Sequence, residues 1–151
     1  MSGDDGKVVF NTGEIYERGL SDPTSLSSDE RLLYLVQEIE VYSMMEGWHG
    51  FFRSPVRMPY YNEMKTGLEM INANASLAVL TAYEREVTGL GFAMTSDGID
   101  DMVSSDVFGD LDPPCDYTDD WSRHSDEIWE LVRGYLAKKD IILRLHFSAN
   151  A

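Results

Sequence analysis

The stretch from Ser27 to Phe52 constrains this chain more than any other. Ser27 and Glu30 have the spacing of a capping box, in which each side chain satisfies a backbone donor of the other residue. Asp29 and Glu30 also place negative charge in the first turn, where the helix dipole favours it. Leu32, Leu35 or Val36, Ile39, Tyr42 and Met45 recur at three- and four-residue steps. That period predicts an amphipathic helix with one apolar stripe. Glu30, Gln37, Glu38 and Glu40 fall mostly off the stripe. Gly47 and Gly50 are expected to punctuate the helix, and Pro55 to prevent its continuation. Trp48, Phe51 and Phe52 make a dense aromatic patch at this point. Its expected role is to plug the end of a helical core, the alternative being an interface anchor. His49 is expected to be a packed or capping histidine.

The remaining chain reads as material that packs on this helix. Lys7 to Phe10 predicts a short strand, Glu14 to Gly19 a helical turn, and Ser21 to Ser28 a polar connector. Tyr61, Met64, Leu68 and Ile71 fall at helical steps, and Asn72 to Asn74 break the pattern. Ala75 to Val87 predicts a third helix, stopped by Thr88, Gly89 and Gly91. The last long helix is expected to open at Thr118 and Trp121, with Ile128, Leu131 or Val132, Tyr135 and Leu136 as its stripe. Ile141 to Phe147 alternates as a strand does. It would pair with Lys7 to Phe10, because a lone strand leaves its backbone groups unpaired; continuation of the helix is the alternative. With 151 residues, 43% of them hydrophobic, the chain suffices for one core and is short for two. The expected fold is mainly α: one domain over 1–151, a bundle of about four to five helices, with a minor two-strand pairing of the termini. Residues 1–6 are expected to fray, and 89–117 to be an irregular, aspartate-rich segment with room for a short helix from Ile99 to Phe108 on Met102, Val103 and Val107.

Charge narrows the function. Acidic side chains number 27 against 12 basic ones, a formal net charge of −15. Direct binding to nucleic acid or to an anionic membrane needs cationic surface, so neither is expected. Nine aspartates lie in one segment: Asp97, Asp100, Asp101, Asp106, Asp110, Asp112, Asp116, Asp119 and Asp120, with no Lys or Arg between Arg85 and Arg123. Aspartate holds its carboxylate close to the backbone, so such a row can present fixed negative charge much as a phosphate backbone does. The plain alternative is that the acidity serves solubility.

Other chemistry finds little support. A calcium loop starting at Asp110 has Cys115 where the glycine belongs and Trp121 where the closing glutamate belongs, which rules out the EF-hand pattern. His49, His124 and His146 are scattered and give no metal-ligand spacing. The lone Cys115 excludes an intramolecular disulfide. No nucleophile, base and orienting group stand out, so no enzymatic activity and no cofactor are expected. The N-terminus lacks a basic region followed by an apolar run, and no apolar stretch approaches the ~20 residues of a spanning helix. A cytoplasmic protein is the expectation.

These residues resemble the DNA-mimic-protein-like family of small acidic helical proteins. The likeness rests on Leu26, Ser27, Glu30 and Arg31, then Gly47, Trp48, Gly50, Phe51 and Phe52, then Leu68, Ile71 and Ala73. It spans roughly Leu26 to Val87, with a looser match in the last helix. The chain departs from the pattern where Arg53 and Ser54 follow the Phe-Phe pair in place of asparagine, and where Asn72 stands in place of glycine. The resemblance implies an all-helical domain and leaves room for a homodimer; the founding member is an acidic protein that mimics duplex DNA and sequesters a transcription factor, and with that activity the chain shares its acidic character and no motif. The expected function is therefore to bind a basic DNA-binding protein through the aspartate-rich face. Two other readings stay open: an immunity protein that neutralises a cationic nuclease toxin, and a divalent-metal-dependent enzyme or metal-binding module.

Overall fold

Helix α2 (Ser28–Met44) forms the axis of the molecule. The computed structural model describes residues 8–44, 48–105 and 117–145, apart from the side chains of 43, 44 and 118. Residues 32 to 39 of α2 are buried without interruption. The sequence predicts a single apolar stripe here, and the structure buries the helix on every side, Gln37 and Glu38 included. The reason is tertiary. Helix α1 (Thr12–Ser21) packs on one flank, and α3 (Trp48–Phe52), α4 (Tyr61–Met70) and α7 (Thr118–Ser122) close over the others. The predicted capping box is present: Ser27 N–H donates to Glu30 Oε1 at 2.9 Å, and Glu30 N–H to Ser27 Oγ at 3.2 Å.

Helix α5 (Asn74–Gly89) pairs with α4, and α6 (Ser96–Val103) seats on α3. Helix α8 (Ser125–Ala137) leads into strand β2 (Ile141–Arg144). The longer helices are the expected ones, and shorter ones add to them. The helical turn at Glu14 to Gly19 is a full ten-residue helix, started by Asn11, whose Oδ1 accepts from Glu14 N–H at 3.1 Å. The last helical stretch opens at Thr118, as expected, but is not one helix. It is divided by a turn at Arg123 and His124, so that Trp121 on α7 can face the aromatic cluster while Trp129 on α8 reaches Glu40 on α2. Gly50 stops nothing and lies inside α3; Gly47 falls outside the described residues.

The two strands do pair. β1 (Val8–Asn11) lies parallel to β2, with Val8 opposite Ile141 and Asn11 opposite Arg144. One core runs through the described residues, from Ile15 and Leu26 to Leu136 and Leu143.

Candidate partner-binding surface

Three of the nine aspartates ride on α6. Thr95 starts that helix, its Oγ1 accepting from Gly98 N–H at 3.0 Å. Ile99 and Met102 are fully buried, while Asp97, Asp100 and Asp101 are exposed. Spacings of three and four residues set Asp97 beside Asp100 and Asp101 on one outer face. Gly98 lets α6 settle: a Cβ there would lie 2.0 Å from the carbonyl oxygen of Ala93. Asp119 and Asp120 occupy the first turn of α7, where helix polarity suits them, and the next residue, Trp121, is fully buried. Asp106, Asp110, Asp112 and Asp116 fall outside the described residues, as does Cys115.

Both described parts of the aspartate segment are pinned to one aromatic cluster. Trp48 and Phe52 are fully buried and Phe51 nearly so, so the patch is a plug and not an exposed anchor. Phe52 stacks on Tyr83 at 4.7 Å between ring centres, and Trp48 meets Tyr83 edge-on at 5.4 Å. Trp48 also touches Trp121 at 5.7 Å and Tyr117 at 5.9 Å. The Tyr117 hydroxyl donates to the Glu86 carboxylate. His49 is packed as expected, with Nδ1 at 3.0 Å from the Tyr83 hydroxyl. Helix α6, at the start of the aspartate segment, seats on α3, and Tyr117 and Trp121, at its end, meet Trp48, so both described ends are tied to the same cluster.

Two of the five described aspartates meet a cation of the same chain. Arg53, just after α3, pairs with Asp100, and Arg123 pairs with Asp120 at 2.9 Å. Asp97, Asp101 and Asp119 have no ion pair among the described residues. Elsewhere, ion pairs tie one segment of the chain to another. Arg31 grips Glu63 with two bonds at 2.6 and 2.8 Å and also donates to the carbonyls of Pro23 and Leu26. That arginine holds the Glu63 carboxyl below its usual range. Lys65 bridges to Glu84, and Lys139 to Asp29.

Sequence reasoning passed over a buried polar group. Glu38 is 1% exposed and holds three partners: the Tyr16 hydroxyl at 2.6 Å, the Tyr34 hydroxyl at 3.3 Å, and the Arg57 guanidinium, which also lies over the Tyr42 ring. Burial, then Glu38, pushes the Tyr34 phenol up to about 12. Both carboxylate oxygens are engaged, so the group ties α1, α2 and the segment after α3 together and offers no open position for a substrate. The signal in the sequence is that Gln37 and Glu38 interrupt the apolar run from Leu32 to Ile39. Glu40 is a second case. It accepts from Ser125 Oγ at 2.7 Å and Trp129 Nε1 at 3.2 Å, and burial pushes its carboxyl above the usual range.

A cleft of about 170 Å³ lies between α2, α4 and Tyr135. Its two rim carboxylates, Asp29 and Glu63, are already paired with Lys139 and Arg31. Among the described residues no group of three or more His, Cys, Asp or Glu is placed to hold a metal ion. No helix there is long and apolar enough to cross a membrane.

Fold and surface together define a small, acidic, mainly helical protein that holds carboxylates outward on short helices braced by an aromatic core. A family model described as DMP19-like protein matches residues 24–139, and the chain belongs to that family. No curated protein and no solved structure matches it.

Proposed function

We propose that this chain is a non-enzymatic DNA mimic, binding a basic DNA-binding protein through the anionic surface of α6 and α7. The observation that carries the reading is the division of α6: Ile99 and Met102 inward, and three aspartates outward on one face. Those three charges span about 6 Å of helix rise, about one per 3 Å, near the spacing of about 3.4 Å per phosphate along one strand of duplex DNA. Aspartates on a rigid backbone present that charge without the entropy loss of ordering long side chains. Membership of the DMP19-like family supports the same reading, as does the net charge of −15. Fast, salt-sensitive association follows from such electrostatics.

The test is affinity capture from the source cell at low and high salt, with the wild type and with a variant carrying Asp97→Asn, Asp100→Asn and Asp101→Asn. A basic DNA-binding protein should be held at low salt, released as salt rises, displaced by duplex DNA, and lost from the variant. Capture of a cationic nuclease whose activity is thereby blocked would transfer the reading to an immunity protein. Equal capture by wild type and variant would move the interface off α6.

A further inference from the structure

Resting on the proposed reading, we infer that Arg53 is an internal competitor at the anionic face, holding Asp100 until a partner's cation replaces it. The two residues are 47 positions apart, so their pairing is a product of the fold and not of local chain geometry. Arg53 follows directly on α3, and its N–H donates to the His49 carbonyl at 2.9 Å. The aromatic cluster that braces α3 thus fixes the base of the arginine, while its side chain reaches over to α6. There it meets Asp100, three residues after Asp97 and directly before Asp101. Both partners stay open to water, at 46% and 53% side-chain exposure. An ion pair that open is weak and exchangeable. It differs in kind from Arg57 on Glu38, where both partners are sequestered and the pair is structural.

The consequence is a threshold. A guanidinium already at Asp100 lowers the local charge and weakens the hold on sparsely cationic molecules. A partner with a high density of arginine or lysine displaces it and gains the third carboxylate. The device therefore regulates which cations the face retains.

Binding of a fluorescein-labelled oligoarginine peptide, followed by anisotropy across a salt series, tests this with Arg53→Gln, Arg53→Lys and Arg85→Gln. Arg85 is exposed on α5 and has no ion pair among the described residues, so its replacement changes net charge equally without freeing Asp100. Arg53→Gln should bind about two- to fivefold more tightly, as expected for removal of an exposed ion pair. Its salt dependence should also be steeper. Arg53→Lys should match the wild type, and Arg85→Gln should gain less than Arg53→Gln. If Arg53→Gln gains no more than Arg85→Gln while the wild type binds, the competitor role is overturned and the mimic reading stands. If the wild type does not bind the peptide even at low salt, both are overturned. Unchanged circular dichroism and melting temperature confirm that the variants compare folded proteins.

Discussion

At the scale of single residues, backbone conformation explains a departure that the sequence only records. Asn72, where the resembled family carries glycine, has φ +64°, in the left-handed region. It sits just past α4, and Ala73 N–H reaches back to the Leu68 carbonyl at 2.8 Å, closing the helix end. Asparagine tolerates this conformation better than other residues with a Cβ. Asn72→Ala should therefore cost about 1 kcal/mol, and Asn72→Gly should be neutral or slightly stabilising; urea denaturation of the two variants checks both. Glu40 carries a second prediction. Its carboxyl titrates higher in the folded protein than in the unfolded chain, because burial disfavours the charged form. Ionisation then opposes folding as pH rises through and above the unfolded value of about 4.3. Gln keeps an acceptor for Ser125 and Trp129 without the charge. Glu40→Gln should raise the melting temperature at pH 7, and the gain should vanish by about pH 4.

At the scale of elements, α6 shows how a helix of eight residues can be both seat and display. Its inner face is Gly98, Ile99 and Met102, and its outer face is carboxylate. The glycine is required by contact: the atom a Cβ would strike is backbone oxygen, which cannot swing aside. Gly98→Ala should cost about 1–3 kcal/mol by overpacking, seen as a lower denaturation midpoint, and should weaken polycation binding although no charge is changed. Much at this scale was legible beforehand. The capping box, the periods of α4, α5 and α8, and the terminal strands all follow from local rules of spacing and propensity. The break at Arg123 and His124 was not: Ser122 to Glu127 is polar throughout, which suits a solvated helical face as well as a turn, and only the separate destinations of Trp121 and Trp129 divide the helix. The depth of α2 was hidden for a like reason. Periodicity reports which face is most apolar, not how many neighbours arrive, and four helices close over this one.

At the scale of the whole molecule, acid partners set the response to pH. Arg31 holds the Glu63 carboxyl low; at Glu30 and Glu84 burial pushes upward, but bonds from Ser27 and Arg18, and from Tyr61 and Lys65, outweigh it and leave both carboxyls below the usual range. The sign is that of a depressed acid. The stability these groups contribute is complete above the unfolded value of about 4.3 and is lost as pH falls through their lower folded values. Thermal melts should show a plateau near neutral pH and a decline below about pH 4. Added salt at pH 7 should raise the melting temperature, since a formal charge of −15 repels itself in the folded state and screening relieves it.

The sequence by itself determined the helical class, the single core, the acidity and the residues of the aromatic plug, because those depend on composition and on spacing along one chain. Tertiary structure alone decided which carboxylates are spent inside and which remain at the surface. Glu38 and Asp100 are both acids on helices. One is sealed by Tyr34 of its own helix and by Tyr16 and Arg57 from distant segments; the other stands in water with a single exposed arginine across from it. That difference depends on which distant residues are brought near, and no local pattern encodes it.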